Sequence, residues 1–375
     1  MKVTIQLVLA LLISVLSFSV QAKIKEVKVG AVFPLTGPIA TYGQESVNGM
    51  KLALKQLELD PKTKGLISLL VEDNKGDPID SANAVRKLID VDKVRVVLGS
   101  VASSNTLAGA PIAQKAKVPL LTPASTAEAV TLTGKFVSRI CFTDNFQGEV
   151  MAKFARETLK AKTALVIIDN SSDYSKGLEK VFKRVFKKLG GQVVDQSFAY
   201  QQKDTDFRTL LKRAKRRRPD VIFLPGYYTE AGLILRQAKQ MGLNVPFLGG
   251  DGWDSPKLFE LAGKAAAGNY ISSHFAPDDT DPMVQNFVKD YKSTYDSRPG
   301  AMAALGYDAI LVLADAIARS KTDTPKALSR AINTTKDFTG VTGNITLDKN
   351  RNAVKSAVVL RTTEKSFVFK SKVNP

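Results

Sequence analysis

Three residue types that carry most protein chemistry are almost missing: there is one cysteine, Cys141, one histidine, His274, and one tryptophan, Trp253. A lone cysteine closes no internal disulfide, so an apolar core must hold the chain together. With a single imidazole, histidine metal clusters and Ser–His or Cys–His nucleophile pairs have too little to work with. His274 therefore reads as a satisfied structural residue, and Cys141, between Ile140 and Phe142, as packing. The phosphate-binding loop, H-E-x-x-H, G-x-S-x-G and the dinucleotide glycine fingerprint are all absent. Gly249-Gly250-Asp251-Gly252 is glycine-rich but fits none of those spacings. These absences argue against an enzyme, and no metal or cofactor is expected.

Acidic residues are also scarce, 36 against 54 lysines and arginines, for a formal charge of +18. That balance raises nucleic acid or an anionic membrane as a partner. The densest run is Lys212-Arg213-Ala214-Lys215-Arg216-Arg217-Arg218. It falls at the end of an expected helix, where cations suit the negative end of the dipole, so it reads as a solvated face and no nucleic-acid partner is expected. Long apolar runs are limited to residues 5–20, behind Lys2 and ahead of Val20-Gln21-Ala22. That is the pattern of a secretory signal peptide cleaved after Ala22, too short to span a bilayer, which needs about 20 residues. No cysteine follows it to carry a lipid, and no later segment reads as a membrane span. The expectation is a soluble periplasmic protein that is not lipid-anchored.

What is present in quantity is alternation. Apolar residues make up 44% of the chain, enough for substantial cores. Strand-like runs at 27–33, 66–71 and 94–98 alternate with helical stripes such as Val47, Met50, Leu54 and Leu57. Asp77 and Pro78 read as the cap and first residue of the next helix. The pattern restarts near residue 146, with strands at 164–168, 192–198, 221–224 and 245–248. A strong stripe between them runs through Leu178, Val181, Phe182, Val185, Phe186 and Leu189. Helices are expected at 281–295, 301–319 and 325–333, then strands at 353–361 and 366–369. Two such runs predict an α/β protein of two doubly wound parallel-sheet lobes.

Open α/β sheets place ligands beyond the carboxyl ends of their strands. Three loops there stand out. Residues 99–106 bring small hydroxyl side chains into a helix start that would welcome a carboxylate. Residues 122–126 form a second hydroxyl-rich turn. Residues 250–254 offer Asp251 to an ammonium group and Trp253 as a wall for an apolar side chain or a cation. Each alone reads as ordinary capping; together they resemble a clamp for a zwitterion.

At these loops the chain resembles the Leu/Ile/Val-binding family of type I periplasmic binding proteins. The likeness rests on Phe33-Pro34-Leu35-Thr36-Gly37-Pro38 with Tyr42-Gly43, on Asp77-Pro78, on residues 99–106 and 122–126, on Tyr174 with Gly177, on Pro225-Gly226-Tyr227, and on Leu235-Arg236-Gln237-Ala238. It implies a three-crossing hinge, placed near 142–145, 273–276 and 349–353. Lobe 1 would be 23–143 plus 275–351, and lobe 2 would be 144–274 plus 352–375, after a signal peptide at 1–22. It also implies that Ser103 and Thr126 hold the ligand's carboxylate and ammonium, and that the Ala124 carbonyl, with Ser125 beside it, faces the ammonium. Asp251 would pair with that ammonium, and Tyr42, Tyr174 and Tyr227 would line the cleft. Gly76 and Ala102 stand where some members have a disulfide pair, Ser175 replaces a usual glycine, and Trp253 is bulky where branched-chain binders are small. The implied function is a monomeric solute-binding protein of an ABC importer that delivers an amino acid or analogue to an inner-membrane permease. A ligand-sensing module for a membrane signalling partner is the alternative.

Overall fold

The structure is a computed structural model that describes residues 26–194 and 197–375; the expected signal peptide lies outside the described residues. The first lobe is built on a five-stranded, wholly parallel sheet of β1 (Val27–Phe33), β2 (Ile67–Asp73), β3 (Val96–Gly99), β4 (Leu120–Thr122) and β5 (Val137–Arg139), in the order β2-β1-β3-β4-β5. Helices α1 (Ala40–Leu57), α2 (Pro78–Asp90), α3 (Ser103–Ala116) and the short α4 (Ala129–Leu132) make the crossovers. β3 and β4 are buried along their whole length, because helices cover both faces of a parallel sheet. The start of α2 is fixed as its sequence implies: the Asp77 carboxylate accepts from the Ile79 and Asp80 amides, and Pro78 fills the first turn.

The second lobe begins at α5 (Asp144–Lys153), which packs on α6 (Asp173–Lys188). Its sheet takes β6 (Thr163–Val166), β8 (Gln192–Val193), β10 (Val221–Phe223), β11 (Phe247–Gly249) and β12 (Tyr270–Ser273), with α7 (Arg208–Arg216), α8 (Tyr228–Gln240) and α9 (Lys257–Ala262) between them. A small side pair joins β7 (Ile168–Asp169) to β9 (Ala199–Tyr200). Of the expected strand at 192–198, Gln192–Val193 forms β8 on β6, and β9, which pairs with β7, begins beyond that range at Ala199.

The chain then returns to lobe 1 through α10 (Pro282–Tyr295), α11 (Ala301–Arg319) and α12 (Pro325–Asn333), which with β13 (Phe338–Gly340), β14 (Gly343–Leu347) and β15 (Ala353–Val354) precede the last crossing. The expected strand at 353–361 is broken. β15 pairs with β14, whereas β16 (Ala357–Thr362) joins β12 antiparallel and carries β17 (Phe367–Val373) to the sheet edge. The lobe-2 sheet is thus mixed, and sheet membership changes at Lys355 and Ser356. Lys355 is buried there; it donates to Thr342 Oγ1, and Asp308 accepts from the Val341 and Thr342 amides at 2.9 Å.

Residues 301–319 are long and apolar enough to cross a membrane, contrary to expectation, but the protein itself occupies the apolar surface of that helix, which is 83% buried. Its main neighbour is α1. The two backbones touch where glycines face them: a β-carbon on Gly306 would stand 2.1 Å from the Ser46 carbonyl oxygen, and one on Gly49 would stand 1.9 Å from that of Ala303. Backbone cannot yield as a side-chain tip can, so Gly306→Ala should cost about 3 kcal/mol in chemical denaturation, at the upper end for overpacking. An unchanged midpoint would mean the two helices separate freely.

Candidate functional site

In each sheet the strand order reverses beside the first strand of the lobe, between β1 and β3 and between β6 and β10. Loops leaving strands on either side of that point diverge and open a crevice. The two crevices face each other, and between them lies one small cavity. Its walls are Tyr42, Val101, Ser103, Ala124, Thr126 and Met302 from lobe 1, with Tyr174, Tyr227, Asp251 and Gly252 from lobe 2.

The lobes are closed on it. Tyr42 donates to the Gly252 carbonyl, Tyr228 Oη to Thr41 Oγ1 at 3.2 Å, and Thr229 Oγ1 to the Pro38 carbonyl at 2.7 Å. On the other side Ser104 Oγ donates to Asp173 Oδ2 at 2.9 Å and accepts from the Asp173 amide at 3.0 Å.

On the lobe-1 side, α3 starts at Ser103 with no side-chain cap on its first amides. Those amides form a donor cluster at the positive end of a helix dipole, suited to a carboxylate. The turn after β4 is welded to them. Thr122 Oγ1 donates to the Ser100 carbonyl at 2.7 Å, Ser125 Oγ donates to the Val101 carbonyl at 2.8 Å, and the Ala127 amide donates to Ser103 Oγ at 3.2 Å. Ser125 is therefore spent on joining the two loops and does not line the cavity.

Arg139, which the sequence did not single out, holds this turn from behind. It is fully buried, and its guanidinium donates to the carbonyls of Ser125 and Ala127 at 2.8 Å each. Nearby Cys141 is buried as expected, and burial pushes its thiol up to about 12, so it is inert.

On the lobe-2 side, Asp251 is the centre of a buried polar chain. Gln147 Nε2 donates to its Oδ1 at 3.0 Å and to Asp144 Oδ1 at 2.9 Å, while Ser272 Oγ donates to Gln147 Oε1 at 2.9 Å. His274 Nε2 lies 3.1 Å from Asp251 Oδ2, with its ring stacked on Phe142. Burial lowers the pKa of His274 and keeps it neutral; since a carboxylate only accepts, Nε2 carries the proton. Burial also pushes Asp144 up to about 7. Among the described residues no lysine or arginine pairs with Asp251. The closed cavity therefore holds a carboxylate on one side, uncompensated by a cation, and uncapped helix amides on the other.

The aromatic walls are rigid. Tyr174 stacks on Tyr227 at 5.4 Å, Tyr42 meets Tyr227 edge-on at 6.1 Å, and the Gly252 amide donates to Tyr174 Oη at 3.1 Å. Burial raises all three phenols, so they stay neutral. Trp253, expected as a wall, is not one. Its ring is fully buried behind the loop against Gly249, and its Nε1 donates to the Leu224 carbonyl at 3.0 Å. Its bulk sits in the lobe-2 core, leaving the cavity to smaller neighbours. Met302, at the start of the apolar α11, gave no signal because everything around it in sequence is equally apolar.

A second carboxyl pair meets across the interface. Glu45 of lobe 1 and Asp254 of lobe 2 reach within 2.8 and 3.3 Å of the point where a β-carbon on Gly300 would stand. Burial, with a smaller contribution from the charge of Asp251, pushes Asp254 up to about 6, and burial with the charge of Asp254 pushes Glu45 well above the usual range. If opening returns them toward ordinary values near 4, closing takes up protons. Closure is then strongest in acid and weakens as pH rises through about 6. Glu45→Gln should flatten that dependence and tighten ligand binding at about pH 8 by roughly threefold to tenfold. Calorimetric titration at about pH 5 and about pH 8 checks it; a parallel loss of affinity at both would refute the pair's role.

The family model described as "periplasmic binding protein" matches residues 26–366. A leucine-, isoleucine-, valine-, threonine- and alanine-binding protein of Pseudomonas aeruginosa is 29% identical over 325 residues, 86% of each chain. A Leu/Ile/Val-binding protein of Citrobacter freundii is 31% identical over 261 residues, 68% of this chain and 70% of its own. Among solved structures, a leucine-binding protein of Thermotoga maritima superposes with a TM-score of 0.88 at 40% identity, covering 93% of this chain and 99% of that one. The branched-chain amino acid transporter substrate-binding protein of Streptococcus pneumoniae, in complex with isoleucine, gives 0.87 at 31% identity, covering 94% and 100%.

Proposed function

The chain belongs to the periplasmic binding protein family, in its branched-chain amino acid binding branch, and on that premise we propose that it is the solute-binding protein of an ABC importer, closing around a small aliphatic α-amino acid. One observation carries the choice of ligand: a buried, uncompensated Asp251 faces uncapped α3 amides across a cavity closed by both lobes. An α-amino acid presents an ammonium and a carboxylate one carbon apart, and only the closed form brings both halves of the site to it. Val101, Ala124 and Met302 offer an apolar wall for the side chain. The names of the relatives, which bind leucine, isoleucine and valine, support an aliphatic ligand.

Ser103, Thr126 and the Ala124 carbonyl take the polar ends from lobe 1, while Tyr42, Tyr174 and Tyr227 exclude water. Ligand binding shifts the hinge toward the closed state, and a permease of the inner membrane reads that shape. The protein acts as a periplasmic monomer and transforms nothing.

A thermal-shift screen over the amino acids tests this. Leucine, isoleucine or valine should raise the melting temperature in a concentration-dependent way. Mass spectrometry should then return the ligand unaltered. No shift with any aliphatic amino acid, or a transformed product, would overturn the proposal.

A further inference from the structure

The excess positive charge is not spread evenly. The segments of lobe 2, 144–274 and 352–375, hold 27 lysines and arginines against 15 acidic residues, whereas those of lobe 1, 23–143 and 275–351, hold 26 against 21. Within lobe 2, topology gathers that charge at one end. β6, β10 and β11 run parallel, so the helices between them all finish at the edge where the strands begin, opposite the ligand cavity. Each finishes in cations: Lys187 and Lys188 on α6, Arg213, Lys215 and Arg216 on α7, and Lys239 on α8. Arg217 and Arg218 extend the α7 group beyond its last turn.

A helix end needs one or two cations to satisfy its dipole, and this edge carries far more. Lys188, Lys212, Arg216, Arg217, Arg218 and Lys239 are all exposed, and among the described residues none of them is in an ion pair. Acidic residues at this edge include Asp220, whose carboxylate accepts from the Lys162 and Thr163 amides, the exposed Glu157, and the exposed Glu364 in the turn between β16 and β17. Among the described residues none of them forms an ion pair with these cations.

We propose that this pole of lobe 2 is a docking surface for an anionic phospholipid bilayer, which would keep the receptor near the membrane while its cavity stays free. Juxtamembrane clusters of lysine and arginine are drawn to anionic lipid headgroups. Among the described residues of 144–274 no large apolar side chain is exposed, so the contact is electrostatic, without insertion. That absence also favours a bilayer over single-stranded nucleic acid, which is held on exposed aromatic platforms. The rings beneath the patch, Phe198 under Arg213 and Phe186 under Arg156, are buried. This inference goes beyond the solute-binding reading and does not depend on it.

Co-sedimentation of the mature protein with vesicles tests the proposal. Vesicles containing phosphatidylglycerol should retain it at low salt, pure phosphatidylcholine vesicles should not, and added salt should release it. Lys212→Glu, Arg216→Glu and Arg217→Glu together should weaken retention more than tenfold and leave the melting curve unchanged. Lys51→Glu, Lys62→Glu and Lys64→Glu, an equal change of charge on lobe 1, should weaken it far less. Equal loss from both triple variants would mean net charge alone is responsible and would overturn the assignment. So would absent retention on the anionic vesicles, or preferential capture by a DNA duplex offered at equal phosphate concentration.

Discussion

Asp251→Ala is expected to weaken amino-acid binding by roughly 3–5 kcal/mol, a hundredfold or more in Kd. The side chain is buried, has no cation of its own, and looks into a cavity that only the closed lobes complete. A ligand ammonium drawn into that space and left unpaired carries most of its desolvation cost. A capping role is not open to Asp251, because the turn it begins has no side-chain cap and both its oxygens are engaged by Gln147 and His274. Those two bonds also stabilise lobe 2, so the alanine variant should melt somewhat lower. Asp251→Asn separates the effects: its oxygen still accepts from Gln147 Nε2, its amide donates to His274 Nε2 once the ring proton moves to Nδ1, and the charge is lost, so affinity should fall while the melting curve moves less than in the alanine variant. Calorimetric titration beside thermal unfolding reads both. Full affinity in the asparagine variant would remove the ion pair from the account.

Arg139→Ala is expected to destabilise the protein by about 3–5 kcal/mol, the range for breaking a buried charged network. The guanidinium ties the carbonyls of Ser125 and Ala127 and, more weakly, reaches Thr131 Oγ1 at 3.3 Å. Burial lowers its pKa, yet an arginine starts so high that it stays charged. Removing it takes the charged donor from those carbonyls, leaving only the Val130 amide on Ala127 and the Cys141 thiol on Ser125, and frees the turn that presents Ala124 and Thr126. Affinity should therefore fall as well, although Arg139 does not line the cavity. Chemical denaturation checks the stability, and titration under fully folding conditions checks the site. A stable variant with intact affinity would show that the turn needs no support.

The sequence made the scaffold readable wherever local periodicity and burial agreed. The Asp77-Pro78 start of α2, the stripe on α6 and the three C-terminal helices follow from spacing alone. The separation of β8 from β9 and the switch at 355–356 did not, because the neighbouring strands take different partners that are remote in sequence. The site was legible in its loops, and Tyr42, Ser103, Ala124, Thr126, Tyr174, Tyr227 and Asp251 do share one cavity. Direction was not legible. Trp253 follows Asp251 by two residues yet turns into the core, and Ser125 sits between two lining residues yet points away. His274 was read as structural, and its ring is indeed buried; that it stacks on Phe142 and donates to Asp251 depends on crossings that bring distant segments together. Arg139 looked like an ordinary strand-end cation, and only burial reveals its use.

The central claim is that one ligand is held by both its ends across the closed lobes. The most direct measurement is calorimetric titration with leucine beside its two truncated forms, 4-methylpentanoate, which lacks the amino group, and 3-methylbutan-1-amine, which lacks the carboxylate. The predicted result is that leucine binds and each truncated form loses on the order of a hundredfold or more, because each leaves half of the site unpaired. If 4-methylpentanoate bound as tightly as leucine, Asp251 would have no ammonium to hold and the account would be contradicted.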